Sequence, residues 1–202
     1  MSSPRPLRVG YLVNRYPAVS HAFIRREIAG VEARGIEVFR YSIRATSESE
    51  IVDPADRLEQ GRTRVLLQGG LGPLLGALLV AALFRPIGFL KAAAVAWSLG
   101  IRSNRRIHHL AYLAEACRLR GWLRRDSVAH LHAHFGTNPA TVALLCRIAG
   151  PPFQCHGARK RVNALLRTGS CNTACVQLLP PSAETSTRSI IPAPEKASPE
   201  IS

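Results

Sequence analysis

Residues 8–44 read RVGYLVNRYPAVSHAFIRREIAGVEARGIEVFRYSIR. Arg8 to Val13 is a short apolar run that stops at Asn14-Arg15-Tyr16-Pro17, the pattern of a buried strand followed by a loop. Ser20 stands where a helix N-cap belongs, and Phe23, Ile24, Ile28 and Val31 recur at helical spacing in a helix reaching about Arg34. Gly35 supplies the residue that commonly ends such a helix. Ile36, Val38, Phe39, Tyr41 and Ile43 then make a second strand. Strand, helix and strand in so short a span form a βαβ unit, which implies a parallel pair and a right-handed crossover. The expected fold class is α/β: a Rossmann-like parallel sheet flanked by helices.

Residues 45–63 are polar and read as a loop, with a short helix after Asp53-Pro54 because Pro54 suits a first helical position. Thr63 to Leu67 reads as a brief third strand. LGPLLGALLVAALF (71–84) carries no charge, Arg85-Pro86 interrupts it, and IGFLKAAAVAWSLGI (87–101) follows. Neither run reaches the ~20 residues of a spanning helix, and Pro86 opposes one continuous span. Two packed helices, or a pair that dips into one leaflet, fit better. RRIHHLAYLAEACRLRGWLRR (105–125) reads as a basic amphipathic helix whose apolar face is Ile107, Leu110, Leu113, Ala114, Cys117 and Trp122. Its arginines either snorkel on an ordinary surface helix or meet anionic headgroups; Arg105, Arg106, Arg118 and Arg120 are the candidates for the second role.

The chain has 202 residues, 47% of them hydrophobic, and a formal net charge of +14. That balance favours an anionic partner, although a coding bias toward arginine would produce it as well. No helix-turn-helix, zinc-finger or RNA-binding motif appears, so no nucleic-acid partner is expected. The five cysteines are irregularly spaced and the opening MSSPRPLRVGYLV lacks a secretory h-region. Reduced thiols and a cytoplasmic location follow, peripheral at the inner face of the cell membrane if 71–125 touches lipid. Cys155-His156 with Cys171 and Cys175 is too loosely spaced for ordinary structural zinc.

HLHAHFG (130–136) sets histidines on alternate residues. Val128 to His132 reads as a strand, and Thr137 or Asn138 caps a helix with Pro139 at its first position and a body over 140–149. Phe153 to His156 is one further strand. HLHAHFG thus lies at a strand's C-terminal end, the edge where open parallel sheets bind ligands. Same-face strand neighbours stand ~6.5 Å apart, which strains three histidines of one strand on a single ion. His130 and His132 are read as structural, and no metal site is expected. His134 at the tip would accept from a sugar hydroxyl when neutral, or stabilise phosphate charge when protonated; a merely packed cleft histidine is the plain alternative. Ser20 is either an N-cap or part of the cleft lining. Glu27 would face solvent or pair with an arginine of its own helix. From Gly157 onward the periodicity fades and the Pro/Ser/Thr-rich end reads as disordered.

Asn14, Arg15, Tyr16, Pro17, Ser20, Phe23, Ile24 and Glu27 match an N-R-[FY]-P-x-[VL]-S loop and an F-I-x-x-E helix. HLHAHFGTNPATVALLCRIAGPPF (130–153) matches an H-[IL]-H-A-H-F-x-x-x-P-A segment, and His156-Gly157 matches the end of an F-T-x-H-[GA] strand. By these motifs residues 7–157 resemble the opening of bacterial family 4 glycosyltransferases of the GT-B fold, the group that builds exopolysaccharide and colanic-acid-type envelope glycans. The resemblance implies an N-terminal, acceptor-side Rossmann-like domain over 1–157 and a non-family tail over 158–202, as in a truncated or frame-shifted gene. It implies that His134 approaches the transferred sugar as the catalytic residue. Asn14, Arg15, Ser20, His156 and Gly157 would contact substrate. No metal or resident cofactor is implied; a nucleotide sugar is the donor substrate, and a glycan or lipid-linked acceptor is the partner. Most donor contacts belong to the second GT-B domain, whose motifs do not follow residue 157, so little transferase activity is expected of this chain alone. A non-catalytic, basic membrane-surface protein is the competing expectation.

Overall fold

The computed structural model describes residues 7–150 and 154–156. The chain runs β1 (Arg8–Arg15), α1 (Ala22–Glu32), β2 (Glu37–Arg44), α2 (Pro54–Arg62), β3 (Thr63–Val65), α3 (Leu71–Phe84), α4 (Pro86–Arg102), α5 (Arg106–Arg125), β4 (His130–Ala133), α6 (Asn138–Ile148) and β5 (Gln154–His156). The five strands form one sheet in the order β3-β2-β1-β4-β5, and every pair is parallel. The α/β, Rossmann-like architecture is therefore as the sequence indicates. The expected tail over 158–202 and the Cys171 and Cys175 pair lie outside the described residues.

Alternation along β1 divides the core. Val9, Tyr11 and Val13 meet Ile24 and Ile28 of α1 on one face. Leu12 joins Tyr41, Ile43, Leu131 and residues of α4, α5 and α6 on the other. Right-handed crossovers account for this, because β1-α1-β2 and β4-α6-β5 step in opposite directions along the sheet. Asp53 caps α2 by accepting from the Ala55 N–H, with Pro54 in the first turn as expected. Gly35 takes the left-handed φ of 78° in the turn between α1 and β2.

Three local expectations change. Ser20 is not an N-cap: it lies inside a 3-10 turn, Val19–His21, and His21 takes the cap position without a side-chain hydrogen bond. Phe23 leaves the core face and is 48% exposed. The apolar face drawn on α5 slips toward its C-terminal half: Ile107 is 82% exposed, while Glu115, Leu119, Arg120 and Leu123 are buried. The cause is neighbours on several sides, since α3, α4 and α6 all contact α5. Such a helix buries more than one stripe.

Arg120 and Arg118 are consequently structural. Arg120 donates to the Cys146 carbonyl at 3.2 Å, and Arg118 donates to the carbonyls of Leu66 (2.6 Å) and Gln68 (2.8 Å) while lying over the Trp122 ring. Arg105 and Arg106 are exposed. Cys117 and Cys146 are both buried.

No helix among the described residues is long and apolar enough to cross a membrane. Even so, α3 buries only Leu74 and turns Leu71, Leu75, Leu79 and Leu83 outward, each at least 60% exposed. Phe84, Ile87 and Leu90 continue the apolar surface across the α3–α4 joint. Gly88 lets α4 close on the end of α6: a Cβ there would stand 2.7 Å from the Ala149 carbonyl oxygen. Gly88→Ala should destabilise by about 1–2 kcal/mol, because overpacking outweighs the ~1 kcal/mol helix-propensity gain. Gly76 in α3 has open space around the same position, and Gly76→Ala should stabilise by about 0.5–1 kcal/mol. Thermal melts of the pair should move in opposite directions.

Candidate functional site

The strand order reverses direction between β1 and β4, where α1 leaves on one face and α6 on the other. Such a switch point opens a crevice at the carboxyl ends of the strands. The motifs that drew attention in the sequence meet there. Leu12 pairs with Ala133, and the His134 N–H donates to the Leu12 carbonyl at 3.0 Å, carrying the pairing one step past β4. His21 stacks near Phe135 at 5.2 Å between centroids, and Phe23 lies 6.0 Å from His134 and 6.1 Å from Phe135. The chain that follows β1 and the turn that follows β4 thus meet at one edge of the sheet, with the His134 ring buried beneath it.

An open depression of about 700 Å³ lies between the end of β1 and the loop after β2, lined by Asn14, Arg15, Ser20, His21 and Glu50 among others; neither His134 nor the Phe23 and Phe135 rings line it. Asn14 Oδ1 is buried and takes no hydrogen bond from the described residues. Arg15 lies on the lining and pairs through Nη1 with Glu50 at 2.9 Å, both side chains being 45% exposed. Ser20 is exposed on the lining. The backbone of His156 ends β5 opposite His132; Gly157 lies outside the described residues.

His134 sits below the rim, not on it, at 1% exposure. Burial, aided by the charge of His21, holds its imidazole down to about 4, so it is neutral near pH 7. Tyr11 stacks on it at 5.5 Å, and the His132 ring stands edge-on at 4.5 Å. Phe135 takes a φ of 59° and leaves its ring 41% exposed.

Glu27 is the group that sequence reasoning placed wrongly. It is only part exposed, and no arginine of its helix pairs with it among the described residues. Its Oε1 accepts from the Tyr11 hydroxyl at 2.9 Å, and its Oε2 lies 3.5 Å from His134 Nε2. The available signal was spacing: Glu27 falls one turn after Phe23 and next to Ile28, on the flank of α1 that meets β1.

Glu115 of α5 was also missed. Burial pushes its carboxyl up to about 7, with only the Arg44 charge opposing. The folded chain therefore keeps a proton that the unfolded chain releases, so stability falls as pH rises from about 4.5 to about 7. Glu115→Gln should raise stability by about 1–3 kcal/mol at pH 8 and leave it unchanged at pH 4, read from denaturant melts at the two pH values.

A scan against protein-family models matches none, and searches of curated proteins and of solved structures likewise find no match.

Proposed function

We propose that the chain is the acceptor-side half of a sugar-nucleotide-dependent glycosyltransferase of the GT-B type, working on an envelope or exopolysaccharide acceptor. The observation that carries this reading is the rim at the switch point. There the buried side-chain Oδ1 of Asn14, which takes no hydrogen bond from the described residues, lies at the same sheet edge as the exposed Phe23 and Phe135. A saccharide offers both chemistries, since its hydroxyls donate hydrogen bonds and its C–H faces lie on aromatic rings. An unsatisfied buried acceptor costs about 1–3 kcal/mol, which a donating hydroxyl would recover. In this reading His134 stands behind this first layer, its ring 6.0 Å from Phe23 and 6.2 Å from Phe135. Donor contacts are assigned in this reading to a second domain facing the rim.

The α3–α4 surface supports a lipid-linked acceptor. Leu79, Leu83, Ile87 and Leu90 are exposed with Arg85 and Lys91 beside them in sequence, and Arg102, Arg105 and Arg106 are exposed at the far end of α4. An apolar face accompanied by cations suits an anionic membrane surface. The same observation favours the second reading, a membrane-surface protein without catalysis.

Vesicle co-sedimentation separates the two. Anionic vesicles should sediment the chain, and the combined Arg105→Ala and Arg106→Ala change should weaken binding about 30-fold at ~1 kcal/mol per cation. Vesicles that also carry a polyprenyl-phosphate-linked saccharide should bind at least about 10-fold tighter, and Asn14→Leu should erase only that increment, worth about one hydrogen bond. Equal binding of the wild type to both vesicles would leave the second reading standing. Robust turnover of a nucleotide-sugar panel by this chain alone would contradict the assignment of donor contacts to another domain.

A further inference from the structure

We propose that Glu27, His132 and His134 form a binding site for one divalent transition-metal ion of the zinc type. This goes beyond the transferase reading and does not depend on it. One ligand atom from each residue lies within 4.8 Å of the other two. Two contacts within the cluster are shorter and fall on different oxygens of the one carboxylate: His134 Nε2 to Glu27 Oε2 is 3.5 Å, and His132 Nε2 to Glu27 Oε1 is 4.0 Å. Ligands at ~2.0–2.1 Å from a tetrahedral ion stand about 3.4 Å apart. One contact already has that length, and the others close by side-chain movements of about 1 Å or less per ligand.

The spacing argument against a metal weighed only the histidines of one strand. The structure supplies the third donor from a different element. His132 and His134 are the alternating pair at the tip of β4, and Glu27 comes from α1 on the same face of the sheet. A bound ion would tie these two elements together.

Two imidazoles and one carboxylate, with further positions for water, is a donor set common among open zinc sites. The surroundings suit it. The Tyr11 hydroxyl donates to Glu27 Oε1, as partners outside the ligand set do when they orient a metal carboxylate. Glu27 retains 31% side-chain exposure, which gives an ion a way in.

The test uses the full chain, stripped with chelator and titrated with Co²⁺ and Zn²⁺. Expected are visible d–d bands that saturate at one Co²⁺ per chain and vanish on adding Zn²⁺. The melting temperature should also rise by several degrees at a hundredfold excess over Kd. Glu27→Gln keeps the shape of the side chain and should weaken Co²⁺ binding at least tenfold. His134→Gln should do the same, while the exposed His108→Gln should leave it unchanged. If a substitution disturbs the fold, the wild-type spectrum still decides. A thiolate-to-cobalt charge-transfer band would place the ion on cysteines and overturn the proposal. So would absent bands, or binding that survives Glu27→Gln undiminished. In the last case Glu27 serves only to hold the His134 ring.

Discussion

Everything in this fold is referred to β1, which is hydrogen-bonded on both sides to parallel neighbours. Parallel pairing obliges each strand to deliver its C-terminal end to the same edge. Right-handed connections then send α1 and α6 to opposite faces. The two demands together leave an opening beside β1 that no helix can cover. Residues more than a hundred positions apart, such as Leu12 and His134, become neighbours at that opening. The hydrogen bond from His134 to Leu12 is the last rung before the strands part.

The charge balance acquires a location. Arg40 is buried between Glu32 and Glu59, and Glu59 also accepts from the Tyr16 hydroxyl. Arg25 holds Asp53 and Asp56, tying α1 to α2. Asp126 accepts from Tyr41 and Arg64. Acids are thus spent inside the sheet and along the α1–α2 side, so the cationic surplus collects on the helices that follow β3. Breaking one partner of the Arg40 cluster would leave an uncompensated buried charge, which is far costlier than losing a surface pair.

Legibility followed periodicity. β1, α1 and β2 were readable because apolar spacing changes from strand to helix to strand between Val9 and Ile43, and only one arrangement buries those faces. The segment 71–101 was readable as two helices but not as to which face points inward, since Leu and Ala surround α3 on every side and leave no stripe to follow. Glu115 and Arg120 defeated the reading of α5 because polar residues were assumed to mark its outer face. At the rim, motif spacing located His134 and Asn14–Ser20. It did not reveal that His134 lies underneath, or that Glu27 reaches across from α1, because both depend on how a helix is rotated against its sheet.

Phe135 holds a left-handed backbone angle that a bulky residue rarely adopts, at a cost of about 1–2 kcal/mol. Folding meets that cost before any guest arrives. The aromatic wall is therefore cocked in advance: whatever docks beside it finds the peptide already bent and need not expend affinity on bending it.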